Sequence, residues 1–366
     1  MLRAVTKLNL PSRKEVAADW KADGGRIAAV YPIHYPRELL RAFGVLPMEV
    51  WGPPGTRTAS GDRHLQAYTC SIVRGGLSFL LDGGVDVADL IVVPHACDSL
   101  QGMGSMLIDF VDERRPVLTI YSPRGGSGVT RIDFLNRELA AVFEKLAEIV
   151  GEQPSAAALR EAIDRETKAD ALLAQLLSSR RRIDLGERDF YRLVRSREYL
   201  PAEQFTRIVQ GYLTEPLGEL DDRPAVVISG LVPEPMGILD AIEEAGGRVV
   251  GDDMACSGRR LYGEGSSEDP LRRMAERLLS APPDSTRGAE IQARADHLVA
   301  LAAAGGAKAV LHFLVKFCEP ELFYLPQMRP TLEAAGLRSI VIEADVCEPL
   351  PNQAVTRAQA LVETLR

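Results

Sequence analysis

The sequence predicts an α/β protein made of two similar Rossmann-like lobes, each with a four-stranded parallel sheet, and a helical insert between them. Short apolar runs alternate with segments of helical periodicity, which is the pattern of βαβ units. The order of elements is the same in residues 1–133 and 221–366. Residues 134–220 are rich in Ala, Leu, Glu and Arg with helical spacing and contain no convincing strand. We therefore expect an N-terminal lobe, a helical bridge and a C-terminal lobe with these boundaries.

The N-terminal half contains apolar runs of strand type separated by helical segments. The strands are expected at Arg26–Tyr31, Leu46–Trp51, Leu90–Val93 and Pro116–Tyr121. The helices are expected at Pro36–Phe43, from Cys70 onwards and near Met103–Phe110. Because helical crossovers join these strands, we expect them to be parallel.

The C-terminal half repeats this order of elements. Its strands are expected at Ala225–Ser229, Arg248–Gly251, Ala309–Leu314 and Ser339–Glu343. Its clearest helices are expected at Met236–Ala245 and Glu321–Ala335, each followed by glycine. The repeated order indicates one architecture used twice.

Composition narrows the class of protein. A chain of 366 residues with 46% hydrophobic content is long enough for two domains, each with its own core. Its net charge of −8 argues against a generic nucleic-acid binder. The apolar runs are interrupted before the roughly 18 residues that a membrane span needs. Five cysteines are too few for a disulfide framework at this size, and we expect a cytoplasmic protein.

Cys97 and Cys318 occupy matching places in the two halves, each just after an apolar strand. Ligands of open parallel sheets gather beyond the carboxyl ends of the strands, so both thiols are expected at such an edge. Cys70 opens an amphipathic segment and is expected near the positive end of a helix. A cubane takes one thiolate per iron, so three distant cysteines suit an iron–sulfur cluster with one open corner.

The residues alone leave other uses of these cysteines open. Free cysteine is often an inert part of a hydrophobic core. Zinc with three protein ligands is a further alternative, because His34, His95 and His312 lie in or near the same strand ends. Cys256 and Cys347 also follow strands of the second half, and their role stays open.

Other motifs carry less information. No Gly-x-Gly-x-x-Gly follows the first strand of either half, which argues against a nicotinamide or flavin enzyme. Asp252 and Asp253 could bind a cation or the polar end of a substrate. The capping of a turn is the alternative for these two acids.

Several segments together resemble the subunits of the 2-hydroxyacyl-CoA dehydratase and benzoyl-CoA reductase family, of the 2-hydroxyglutaryl-CoA dehydratase D-component type. The resemblance runs through both halves of the chain. It is carried by Tyr35–Pro47, Pro94–Leu100, Asp252–Arg259, Lys316–Pro320 and Asn352–Arg357.

The resemblance implies a [4Fe-4S] cluster held by Cys70, Cys97 and Cys318, in a subunit that pairs with a homologous second subunit as a homodimer or heterodimer. It implies that a separate iron–sulfur ATPase, the activator, supplies one low-potential electron. The electron passes through the cluster to an acyl-CoA thioester. The resulting ketyl radical anion loses water in the dehydratases, whereas an aromatic ring is reduced in the benzoyl-CoA branch.

The chain departs from the family pattern after its first strand. Many members carry Cys or Ser just after the tyrosine of that strand, where this chain has Pro32, Ile33 and His34. His34 is therefore the candidate catalytic residue, as a proton donor or a substrate contact. Two alternatives for the whole protein are a double-cubane ATP-dependent reductase of small molecules, and a non-catalytic electron-transfer or scaffold subunit.

Overall fold

Two four-stranded parallel sheets form the framework of the computed structural model, which describes residues 8–111, 113–124, 128–214 and 218–366. The strands are β1 (Arg26–Val30), β2 (Val45–Glu49), β3 (Leu90–His95), β4 (Val117–Tyr121), β5 (Ala225–Gly230), β6 (Arg248–Met254), β7 (Ala309–Val315) and β8 (Arg338–Ala344). The strand order is β2-β1-β3-β4 in the N-terminal lobe and β6-β5-β7-β8 in the C-terminal lobe. All neighbouring strands are parallel, which confirms the predicted pair of similar lobes.

Helices pack on the sheets and form the segment between them. In chain order they are α1 (Arg13–Ala22), α2 (Arg37–Ala42), α3 (Ser71–Leu81), α4 (Asp98–Asp109), α5 (Gly128–Val150), α6 (Ala156–Ser178), α7 (Glu187–Arg195), α8 (Ala202–Thr214), α9 (Gly237–Glu244), α10 (Pro270–Leu279), α11 (Ile291–Gly305), α12 (Glu319–Ala334) and α13 (Asn352–Glu363). The helical segment between the sheets, α5–α8, is confirmed. The boundaries predicted for this segment, residues 134 and 220, stay predictions, and residues 215–217 just before its end lie outside the described residues. None of the helices described here has the length and apolar character needed to cross a membrane.

The central strands β1, β3, β5 and β7 are almost wholly buried. Strands covered on both faces read as near-continuous apolar runs, which is why the sequence identified them. The predicted strand ended at Val93, whereas β3 continues to His95 through Pro94, a residue that lacks the N–H used in a strand ladder. The pairing of β3 with β1 ends at Val92, so Pro94 pairs only with β4 and removes no bond to β1.

Helix α1 was not predicted, although its signal is present in the sequence. Ser12 accepts a hydrogen bond from the Glu15 backbone N–H at 3.2 Å, and the Ser12 N–H donates to the Glu15 carboxylate at 2.7 Å. This reciprocal pair is a capping box, which the Ser-x-x-Glu spacing encodes.

The strand order places a crevice at the carboxyl end of each sheet. In the N-terminal lobe the chain runs from β1 to β2 on one side and then crosses to β3 on the other side of β1. In the C-terminal lobe β5, β6 and β7 follow the same course. Such a reversal of strand order opens the crevice in which α/β sheets bind their ligands. Cys97 follows β3 and Cys318 follows β7, so both thiols lie at these crevices.

The buried carboxylate of Glu49 forms ion pairs with both lobes. Glu49, at the end of β2, accepts hydrogen bonds from Tyr35 Oη at 2.7 Å and Trp51 Nε1 at 2.8 Å. It also pairs with Arg37 of the same lobe and, at 2.7 Å, with Arg260 Nη1 from the segment after β6. Burial raises the pKa of Glu49, but the attraction of Arg260 and Arg37 outweighs it and holds the pKa well below its usual range. The carboxylate is thus the countercharge of two buried cations, one from each lobe.

We expect Glu49→Gln to destabilise the folded chain by about 3–5 kcal/mol, because it leaves two buried guanidinium groups without a countercharge. Urea unfolding followed by circular dichroism measures the change. Asp240→Asn is the matched control, since Asp240 and Arg188 form a surface pair with side chains 37% and 46% exposed. Loss of such a pair costs about 1 kcal/mol or less. Equal effects of the two substitutions would contradict the role given to Glu49.

Candidate functional site

A pocket of about 260 Å³ lies where the two lobes face each other. Cys70, Cys97 and Ser99 line it from the N-terminal lobe, and Ser285 and Cys318 line it from the C-terminal lobe. We call it the thiol pocket. Cys70 and Cys318 are buried, and Cys97 is partly exposed. The structure therefore brings the three cysteines singled out in the sequence to one place.

Each of the three cysteines directly precedes a helix. Cys70 is the N-cap residue of α3, Cys97 that of α4 and Cys318 that of α12. The first N–H groups of a helix have no partner within the helix and form its positive end. Three positive helix ends therefore meet at the thiol pocket, where they favour an anionic group.

Burial and mutual proximity make the free thiolates unfavourable. Burial raises the pKa of Cys70 to about 12 and also raises the pKa of Cys97 and Cys318. The neighbouring Cys97 thiolate raises the pKa of Cys70 further, and Cys70 does the same to Cys318. The nearby first-turn backbone N–H groups act in the opposite direction and lower these pKa values. They belong to Ile72 and Val73 beside Cys70, to Ser99 and Leu100 beside Cys97, and to Glu321 beside Cys318.

This donor set fits an iron–sulfur cluster. Three buried thiolates need positive charge beside them, which iron ions supply. The first-turn N–H groups suit anionic sulfur, because hydrogen bonds to the sulfurs are a normal part of cluster sites. Cys70, Cys97 and Cys318 are the residues that would hold such a cluster.

A site for a single metal ion has less support. Within the described ranges, no group of three His, Cys, Asp or Glu side chains is arranged to hold one ion. His95 packs edge-on against Tyr121, with ring centroids 4.4 Å apart, and His312 is buried within β7. A cubane differs from a single ion because its thiolates bind separate irons and need not converge on one point.

His34 lies behind the thiol pocket and does not line it. Its side chain is 2% exposed, and its backbone has a φ of 64°. The Nε2 atom lies 3.4 Å from Thr286 Oγ1 and 3.6 Å from Asp284 Oδ2, while Nδ1 has no hydrogen-bond partner among the described residues. Burial, assisted by the positive charge of Arg287, lowers the pKa of His34 to about 4. The imidazole is therefore neutral near pH 7.

A buried ionic network lies beside Cys318. Glu321, in the first turn of α12, accepts hydrogen bonds from Arg259 at 2.7 and 2.9 Å and from Ser285. Arg259 also donates to Asp253 at 3.1 Å, and Arg294 Nη2 lies 2.8 Å from the same Asp253 carboxylate. These charges connect α12, β6, α11 and the turn at Ser285–Arg287 into one unit.

The remaining sequence candidates lie apart from the thiol pocket. Cys256 is buried with Sγ 3.7 Å from Ser257 Oγ, and buried Cys347 Sγ donates to the Ser71 carbonyl at 3.7 Å. Neither thiol lines the pocket. Asp252 accepts hydrogen bonds from the Met254 and Gly258 N–H groups and from Ser257 Oγ, so it caps a turn.

Sequence reasoning missed Ser285 and Glu321. Ser285 follows a Pro-Pro-Asp stretch that indicates only a loop. Glu321 stands three residues after Cys318, and an acid at this distance from an N-cap residue is a recognisable helix-start signal. That signal locates the helix start but says nothing of Arg259, which lies far away in the sequence.

The chain is similar to known proteins along almost its whole length. The model of the family described as 2-hydroxyglutaryl-CoA dehydratase, D-component, matches residues 32–365. The chain is 28% identical to the lactoyl-CoA dehydratase subunit beta of Anaerotignum propionicum, with 96% of this chain and 95% of the relative covered. It is 25% identical to the (R)-2-hydroxyglutaryl-CoA dehydratase subunit beta of Acidaminococcus fermentans, with 97% and 96% covered.

A third relative is a subunit of a benzoyl-CoA reductase, whereas the first two are subunits of dehydratases. The chain is 26% identical to a benzoyl-CoA reductase subunit of Thauera aromatica, with 85% of this chain and 84% of the relative covered. The family model spans almost all of the described structure, including both sheets except the first strand of the first one. The chain therefore belongs to the 2-hydroxyglutaryl-CoA dehydratase D-component family.

Proposed function

We propose that this protein is the iron–sulfur subunit of an acyl-CoA dehydratase or reductase, of the 2-hydroxyacyl-CoA dehydratase or benzoyl-CoA reductase type. The observation that carries the proposal is the convergence of Cys70, Cys97 and Cys318, each at a helix N-terminus, on one pocket between the lobes. A [4Fe-4S] cluster bound there supplies one-electron transfer, which the protein's own side chains cannot perform.

The residues around the pocket have definite tasks in this proposal. The three thiolates hold the irons, and the first-turn N–H groups stabilise their negative charge. The ionic network of Glu321, Arg259 and Asp253 holds the start of α12, and with it Cys318, against β6. Burial of Cys70 and Cys318 keeps water from two of the three sulfur ligands.

The partners follow from the same proposal. The dehydratase relatives are named beta subunits, and the reductase relative is likewise named as a subunit, which supports a multi-subunit complex with a homologous second subunit. We propose that a separate iron–sulfur ATPase supplies the electron and that an acyl-CoA thioester receives it. Binding of acyl-CoA to this chain would mark it as the subunit that houses the substrate. If the chain transfers electrons but binds no acyl-CoA, it is an electron-transfer subunit.

For His34 we propose a positioning role in place of proton donation. A neutral, buried imidazole donates hydrogen bonds but is a poor source of protons. Its contacts with Asp284 and Thr286 fix the turn that places Ser285 in the wall of the thiol pocket. Through that turn the first-strand loop of one lobe is attached to the other lobe.

We expect anaerobic reconstitution to load about four irons per chain and to give the spectrum of one cubane. The Cys97→Ser/Cys318→Ser double variant should lose the cluster, because one thiolate cannot hold it. Cys256→Ser and Cys347→Ser are the matched controls and should keep the full iron content. Iron analysis and electron paramagnetic resonance (EPR) of the reduced protein make the measurement.

Three outcomes would change this conclusion. A properly folded complex that binds no iron contradicts it, and so does a double variant that keeps the full cluster. About eight irons per chain would instead favour a double-cubane reductase of small molecules.

The lowered pKa of His34 predicts a pH effect on stability. The folded chain binds fewer protons than the unfolded chain between the folded pKa of about 4 and the unfolded value near 6.5. The neutral imidazole therefore contributes to the free energy of unfolding above pH 6.5. This contribution, about 3 kcal/mol, is lost as the pH falls from 6.5 to 4. His34→Asn should reduce this acid loss, since asparagine tolerates positive φ and does not titrate.

Urea midpoints between pH 4 and 7 measure this effect. His64→Asn is the control, because His64 is exposed and should leave the pH dependence unchanged. If His34→Asn and His64→Asn give the same pH profile as the unaltered chain, His34 is not held neutral in the folded state.

A further inference from the structure

Ser285 is a buried oxygen donor in the wall of the thiol pocket. It is 6% exposed and lies in the turn at Ser285–Arg287 of the C-terminal lobe. Among the described residues that line the pocket, the other side-chain hydroxyls are those of Ser99, which is partly exposed, and Tyr324, which donates to the Ala289 carbonyl at 2.5 Å.

The carboxylates at the pocket face water. Asp98 and Glu319 line the pocket, but both are exposed, and Asp98 lies 3.9 Å from the Arg124 guanidinium. Of the described oxygen-bearing side chains in the wall, Ser285 is therefore the buried one. Cys70 and Cys318 share that burial with it.

The hydroxyl proton of Ser285 is used in a hydrogen bond to a carboxylate. Ser285 Oγ donates to Glu321 Oε1, and Glu321 also accepts hydrogen bonds from Arg259 and Arg294. These two guanidinium groups balance the charge of the Glu321 carboxylate, whose oxygens accept hydrogen bonds.

The lone pairs of Ser285 Oγ have no such partner. A serine hydroxyl has one proton and two acceptor lone pairs. The proton points to Glu321, and no hydrogen bond donated to Ser285 Oγ is found within the described part of the chain. A buried acceptor at the wall of a pocket that favours a metal cluster is left with free electron pairs.

Ser285 and Cys318 are held by the same first turn of α12. Glu321 anchors the Ser285 hydroxyl, and the Glu321 N–H donates to the Cys318 carbonyl at 3.1 Å. The serine oxygen and one thiol ligand thus share one rigid support. The first-strand loop has no hydroxyl at Pro32–His34, and its His34 contacts Asp284 and Thr286 on either side of Ser285.

We propose that Ser285 Oγ is the protein ligand of the fourth iron, the corner that Cys70, Cys97 and Cys318 leave open. The inference rests on the proposed function and names its missing ligand. The hydroxyl keeps its proton, which is directed at Glu321, and binds through a lone pair, so no proton or electron is transferred. A neutral oxygen is a weaker iron ligand than a thiolate, so this iron is held less firmly than the other three.

The test uses the chain reconstituted anaerobically in complex with its partner subunit and reduced by one electron. Electron-nuclear double resonance in water enriched in oxygen-17 detects solvent oxygen bound to iron. We expect no solvent coupling in the unaltered protein and a clear coupling in Ser285→Ala, where water enters the vacated position. Ser99→Ala, at the same pocket, is the matched control and should resemble the unaltered protein.

A second variant tests the ligand of the fourth iron by replacing the Ser285 hydroxyl with a thiol instead of removing it. Ser285→Cys should place a fourth thiolate on the cluster and prevent loss of that iron. On ferricyanide oxidation the unaltered protein should form the EPR signal of a [3Fe-4S] cluster, and Ser285→Cys should lose that signal. Circular dichroism and iron content establish that each variant is folded and loaded.

The outcomes distinguish failure of the cluster from failure of the serine ligand. If the unaltered complex binds no iron, the proposed function fails whatever Ser285 does. If the cluster forms but the unaltered protein already shows solvent oxygen-17 coupling, the serine ligand is wrong and the cluster stands. Ser285 is equally excluded as the ligand if Ser285→Ala is spectroscopically unchanged, or if Ser285→Cys forms as much [3Fe-4S] as the unaltered protein.

Discussion

The convergence of two parallel sheets, carboxyl end toward carboxyl end, is the constraint on which the rest of this protein depends. A parallel strand must leave the sheet at that end and continue into a helix that crosses back. The residue just before the helix therefore lies at the edge, beside unpaired N–H groups. Cys97 and Cys318 occupy this place in the two lobes, and Cys70 occupies it after β2. Three helix N-termini meet at the pocket because each of these cysteines is the residue from which a helix begins.

Buried ion pairs hold this arrangement in place. Arg259, Arg277 and Arg294 are among the largest fully buried side chains, and each is paired with carboxylates. Pairs of this kind contribute little net stability, because desolvation offsets their attraction, but a displaced partner leaves an isolated buried charge. The lobes are consequently held in a relative position that satisfies the pairs Arg260–Glu49 and Arg277–Glu38, which join them. Cys318 is held in place by the same pairs, because Glu321 lies in the first turn of its helix and pairs with Arg259.

The same physics explains which features could be anticipated from the sequence. Buried parallel strands are continuous apolar runs, so the two sheets were recognisable, and strand ends indicated Cys97 and Cys318. The capping box of α1 was equally local and was overlooked. The Ser285–Glu321 contact joins a loop to a helix start, and Arg260–Glu49 joins residues of different lobes. The periodicity of apolar residues does not predict such contacts, because the sequence around each partner is that of a solvated loop or a helix end.

The sequence by itself determined the element order, the class of fold and the cysteines placed after strands, because these depend on local patterns of apolar and polar residues. The departure from the family pattern after the first strand suggested a catalytic role for His34, and the fold buries it outside the pocket lining, where burial keeps it neutral. Only the tertiary structure decided that three thiols share one pocket with Ser285, while Cys256 and Cys347 lie outside it. The physical reason is that these residues are brought together by lobe packing and long-range ion pairs, whose geometry exists only once both lobes have folded.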